Sequence, residues 1–194
     1  MKGISPEDIL CLNDFEKTHP LKVDVVYADG NHPENIFKTN IYRVDAKMWG
    51  HKDLVDIILR AASICHDKKN WRFVLKDCLR TTDAQQKMLA TDIVRAHPQW
   101  IEEPNRLLSP PGKGGHPRGM AVDIDLIDDK GSPINMGTVF DHLAEDHRVN
   151  NPAARSYTQF SDNVALNKDI ADNRRFLEEC MIAAAQAFTR PLLP

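Results

Sequence analysis

None of the four cysteines, Cys11, Cys65, Cys78 and Cys180, lies in a Cys-x-x-Cys pair. The chain therefore lacks the spacing of a thiolate zinc site and of a dithiol redox motif, and four buried thiols are expected. No window approaches the roughly 18 continuous apolar residues of a membrane span, so no membrane-crossing helix is expected. No Lys/Arg-dense stretch appears. With 25 basic against 28 acidic residues and a formal charge of -3, the sequence carries no electrostatic footprint for nucleic acid. The opening MKGISPEDIL has no basic region followed by an apolar run, which points to a cytoplasmic location. Internal repeats and low-complexity tracts are absent, and 194 residues suit one domain over 1–194 with a sizeable core.

What is present alternates between helical and extended patterns. From Leu54 to Cys65, apolar residues crowd a stretch marked by Asp53, Asp56 and Arg60, as in a largely buried helix. Trp71–Cys78 (WRFVLKDC) is short and apolar and follows a polar group, so it reads as a strand with Arg80 just past its end. Thr81 and Thr82 with Asp83 offer an N-cap, and Gln85 three residues beyond Thr82 has the form of a capping box, which predicts a helix to about Ala96, stopped by His97-Pro98. Four prolines and four glycines between Glu102 and Gly119 mark a loop.

Met120–Ile127 has period two: Val122, Ile124 and Leu126 share one face, and Asp123 and Asp125 the other. Asp128–Gly131 reads as a turn. Ile170–Phe188 carries Phe176, Leu177, Cys180, Met181, Ala184 and Phe188 at helical spacing.

The chemistry gathers around His116 and Asp123. A histidine in a glycine-rich turn and an aspartate on the next strand can bring an imidazole and a carboxylate to one metal ion, a donor set that suits zinc. A surface histidine and a solvated aspartate would read the same from spacing alone. Asp125 shares the face of Asp123 and is the rival ligand, or a partner that orients His116. Arg80 offers a fixed fork of donors for a substrate carboxylate or an oxyanion, or else pairs with Asp77 or Asp83. His142, Glu145, Asp146 and His147 form a second cluster, read as a solvated turn. His19, His32, His51, His66 and His97 are scattered and are taken as structural.

In order along the chain, Tyr27-Ala28 with Asn35 and Phe37, Leu75–Arg80 (LKDCLR), His116–Asp123 (HPRGMAVD), Asn135–Asp141 (NMGTVFD) and Asn173–Leu177 (NRRFL) together resemble the D-alanyl-D-alanine dipeptidase family. That family includes the vancomycin-resistance dipeptidases and belongs to the zinc D,D-peptidases that share a fold with the hedgehog signalling domain. His116–Asp123 matches its metal motif His-x-x-Gly-x-Ala-x-Asp and is the most specific element.

The resemblance implies an α+β domain whose central antiparallel sheet, flanked by helices, carries the metal. It implies zinc held by His116 and Asp123, Arg80 as transition-state stabiliser, Asp141 as anchor for the substrate's free amino group, and Tyr42 in the pocket. The expected reaction is zinc-dependent hydrolysis of a small D,D-dipeptide such as D-Ala-D-Ala. The rivals are a peptidoglycan D,D-carboxypeptidase or endopeptidase, and an inactive metal-stabilised binding module. Gly114 stands where the family commonly has serine. The family's Glu-x-x-His element, with the general base and third ligand, is expected beyond Pro194.

Overall fold

A computed structural model describes residues 5–103, 106–143 and 161–188. The elements in chain order are β1 (Ile9–Cys11), β2 (Leu21–Val23), β3 (Trp49–His51), α1 (Lys52–Lys69), β4 (Arg72–Asp77), α2 (Thr82–Leu89), α3 (Asp92–Ala96), β5 (Asp123–Ile127) and α4 (Val164–Phe188), with short 3-10 turns between them. Helices and strands are mixed in two small sheets, the expected α+β arrangement.

The larger sheet has the order β2-β4-β5. Its β4/β5 pair is antiparallel as expected, but β2 runs parallel to β4, with Leu21 beside Phe73 and Val23 beside Leu75, so the sheet is mixed. β1 and β3 form a separate antiparallel pair. Three-residue strands are too short to show a period, and for that reason β1, β2 and β3 left no pattern to read.

Burial explains why α1 extends beyond Leu54–Cys65. Leu54, Val55, Ile58, Ala61, Ala62 and Cys65 form one buried stripe, the spacing of a core-facing helix. His51 starts it: its Nδ1 accepts the Asp53 N–H at 3.3 Å. Asn70, in the left-handed region at φ 56, ends it and donates its N–H to the His66 carbonyl at 2.7 Å.

The stripe packs in one cluster with Phe73 and Leu75 of β4, Leu126 of β5, and Cys180 and Ala184 of α4. Val122 and Ile124 join this core side, as their alternation predicts. All four cysteines are buried free thiols. A second cluster, built on Tyr27, Phe37, Met88, Trp100 and Phe140, lies on the Arg80 side. No helix among the described residues is long and apolar enough to cross a membrane.

The single helix expected over 82–96 is two. Thr91 breaks the run by taking an extended conformation at φ -73, ψ 154, and its hydroxyl donates to the Met88 carbonyl at 2.8 Å, a local bond that competes with helical pairing. Of the two threonines expected as the cap, Thr81 is the one used: its Oγ1 accepts the Ala84 N–H at 3.2 Å. Gln85 is thereby released from capping, with consequences for the site.

Candidate functional site

The loop and strand of the motif are held by tight backbone packing. Gly119 sits at φ 61, and a Cβ there would lie 2.7 Å from the His51 nitrogen, so the turn after His116 requires glycine. Gly115 leaves the same room for Ala121, whose Cβ would meet an added Cβ at 2.7 Å. The Arg80 N–H donates to the His116 carbonyl at 3.1 Å, which fastens the motif turn to the segment after β4.

His116 Nδ1 lies 2.7 Å from the Cys78 carbonyl. A carbonyl only accepts, so Nδ1 carries the proton and Nε2 is left as the lone-pair donor when the ring is neutral. Burial, then the charge of Arg80, holds the imidazole below its ordinary value and so favours the neutral form. Nε2 faces Asp123 Oδ2 at 3.7 Å. Nitrogen and oxygen donors on one tetrahedral ion at about 2.0–2.2 Å stand roughly 3.4 Å apart, so the pair fits a single metal ion. Burial, then the charges of Asp77 and Asp141, pushes the Asp123 carboxyl up to about 8, a cost that a bound cation would relieve.

Asp77 completes a group of three whose ligand atoms lie within 4.8 Å of one another, but both its oxygens are engaged. Oδ1 accepts the Tyr42 hydroxyl at 2.6 Å. Oδ2 accepts Arg80 Nε at 2.9 Å and Nη2 at 2.6 Å. Of the two pairings open to Arg80 in the sequence, the one with Asp77 forms. Burial opposes the Arg80 charge, yet Asp77 with Tyr42 and Tyr27 outweighs it and holds the guanidinium above its usual range. With Arg80 7% exposed and Asp77 1%, this is a buried, charge-assisted pair.

Gln85 is a member that sequence reasoning missed. Buried at 3%, it accepts Arg80 Nη1 on Oε1 at 2.9 Å and donates Nε2 to the Ser109 carbonyl at 2.8 Å. It resembled a capping residue because it lies three residues beyond Thr82, the other candidate cap.

Asp141 adopts the left-handed region at φ 52, uncommon outside glycine, and accepts the Tyr27 hydroxyl on Oδ2. Burial raises its carboxyl above the ordinary value, and Tyr27 and Arg80 counter that rise. The Tyr27 ring packs on Phe37, Tyr42 and Phe140, with the Arg80 guanidinium 5.6 Å from its centre. The Asn-Arg-Arg motif ties α4 to the loop before Asp141: Asn173 Nδ2 donates to the Asn135 carbonyl at 3.0 Å, and Arg174 Nε to that of Met136 at 2.7 Å. A cavity of about 840 Å³ opens between β5, this loop and α4, with Asp123, Val122, Met136, Phe140, Leu177 and Met181 on its wall.

The other candidates separate from this group. Asp125 turns to Lys76, 3.8 Å from its Nζ, and takes no part at His116. His142 is exposed, and Glu145, Asp146 and His147 lie outside the described residues, as do the expected third ligand and general base. His51 serves as the cap of α1, and His97 stacks on Trp100 at 4.3 Å.

A neutral imidazole and a carboxylate converging beside a clamped guanidinium, on a mixed α/β scaffold, have the makings of a metal-assisted hydrolase. Residues 16–189 match the family described as D-ala-D-ala dipeptidase, and the chain belongs to that family, a hydrolase of the metallopeptidase type. No curated protein matches the chain.

Proposed function

We propose that this protein uses zinc to hydrolyse D-Ala-D-Ala or a closely related D,D-dipeptide. The observation that carries the reading is the 3.7 Å approach of His116 Nε2 to Asp123 Oδ2, with Arg80 and Asp141 held in the same network. His116 and Asp123 would hold the ion; zinc supplies Lewis-acid polarisation and lowers the pKa of a bound water.

The remaining roles belong to the chain itself. Arg80 presents guanidinium donors to the charge that develops on the scissile carbonyl oxygen, and Asp77 and Gln85 keep it from reorienting as that charge appears. Tyr42 acts by holding Asp77 on its second oxygen. Asp141, kept in place by Tyr27, accepts the substrate's ammonium group, which selects a free dipeptide over a longer stem peptide. The Cys78 carbonyl fixes the tautomer of His116.

The test uses the full-length gene product with zinc, comparing release of D-alanine from D-Ala-D-Ala and from N-acetyl-D-Ala-D-Ala. Turnover of the free dipeptide with little of the acetylated one is the expected result. The reverse preference would make the protein a D,D-carboxypeptidase, and bound zinc without turnover of either would make it a binding module.

A further inference from the structure

The register of β4 against β5 is regular from Arg72 opposite Ile127 through Phe73–Leu126, Val74–Asp125 and Leu75–Ile124. A continuous ladder would next set Lys76 opposite Asp123. Instead Asp77 stands there, with the irregularity between Leu75 and Asp77. Lys76 is thus the extra residue of a β-bulge, a device that re-aims side chains beside functional sites. Cross-strand partners share a face, so the bulge turns Asp77 to the face of Asp123. Without it Asp77 would pair with Val122, on the core side of the sheet, and an ammonium would stand at Asp123.

The extra residue is anchored with unusual completeness. The Lys76 side chain is 7% exposed, and its Nζ lies 2.9 Å from Asp24 Oδ2, 2.5 Å from Glu34 Oε2 and 3.8 Å from Asp125 Oδ2. These carboxylates come from three places: the end of β2, the loop over 29–41, and β5. Asp24 is itself fixed by its N–H to the Leu75 carbonyl at 2.9 Å, and by His32 Nε2 at 3.4 Å. The loop that bears Glu34 ends at Tyr42, the partner of Asp77. One ammonium therefore ties together the neighbours of the bulge on both sides and the segment that delivers the tyrosine.

We propose that Lys76 is a positioning residue: anchored by Asp24, Glu34 and Asp125, it holds the bulge that sets Asp77 opposite Asp123 and so aims Arg80 into the site. This rests on the hydrolase reading for its consequence in catalysis, but its structural content stands apart from that reading.

The experiment compares the full-length protein with Lys76→Met, Lys76→Arg and Glu34→Gln by backbone NOEs across β4 and β5, zinc titration, and kcat and KM for D-Ala-D-Ala well below the melting temperature. In the wild type, NOEs join Asp77 to Asp123. Lys76→Met should lose them and lower kcat at least ten-fold, with KM and the zinc dissociation constant within about three-fold, and Lys76→Arg should recover most of both signals. An unchanged Asp77–Asp123 pairing in Lys76→Met overturns the proposal. Should that variant fail to fold, Glu34→Gln is read in the same way: weakened NOEs support the proposal and unaltered NOEs overturn it. A wild type without dipeptide turnover removes the hydrolase reading, while the NOEs still decide the role of Lys76.

Discussion

Two acidic clusters sit side by side on one face of the β4/β5 pair, and they differ in where their positive charge comes from. Asp24, His32 and Glu34 have ligand atoms close enough to hold a metal ion, as do Asp77, His116 and Asp123. In the first, the ammonium of Lys76 stands among the carboxylates. In the second, the nearby cation is Arg80, already paired with Asp77, and burial, then the charges of Asp77 and Asp141, keep the Asp123 carboxyl pushed up to about 8. Similar donor sets thus serve opposite ends. In the proposed reading, a cluster filled by the chain's own lysine is a joint, and one whose arginine is already committed leaves its carboxylate for the metal.

The widest gap between the clusters should appear when each loses its histidine. His116→Ala is expected to weaken zinc binding at least 100-fold and to bring turnover below detection, whereas His32→Ala should retain wild-type zinc stoichiometry; elemental analysis and chelator competition check both. If His32→Ala lost the metal, the assignment of the two clusters would be reversed. Next in size, Arg80→Met should lower kcat by about 10²–10³, the range for removing a donor to a developing oxyanion, with zinc content unchanged on the same samples.

On the lysine side the fall in kcat should come together with a loss of stability. Lys76→Met leaves three half-exposed carboxylates without their buried cation and should cost about 1–3 kcal/mol in urea unfolding, the usual range for removing one partner of such a group. The smallest effect is expected from Tyr42→Phe, which removes one hydrogen bond to Asp77 and should cost about 0.5–1.5 kcal/mol in transition-state stabilisation, read as a few-fold drop in kcat/KM.

The parts of the molecule that could be read from the sequence are those with a long enough pattern. α1 shows a stripe over several turns, and β5 alternates cleanly enough to place Val122, Ile124 and Leu126 on the core side. The approach of His116 to Asp123 was expected from a motif whose glycine, Gly119, stands where a Cβ would meet the His51 backbone. The bulge was not legible, since a strand's register is set by its partner and Lys76 looks like any charged residue at a strand end. Its signal was a lysine inside an apolar run, a position that a charge occupies only when it is paired. Gln85 was hidden because a glutamine three residues after a threonine satisfies the capping pattern whether or not it caps.

The Gly119 carbonyl accepts the His51 N–H at 2.9 Å, and His51 in turn caps α1. The turn that carries His116 is therefore latched to the first turn of a helix whose stripe from Leu54 to Cys65 is buried. In hydrogen exchange the amides of His51 and Arg80 should open together as one cooperative unit, with protection near that of the α1 interior and above that of ordinary surface loops. The glycine-rich segment would then be rigid where it bears its histidine, and thermal motion at His116 would be governed by the helix and little by the loop's composition.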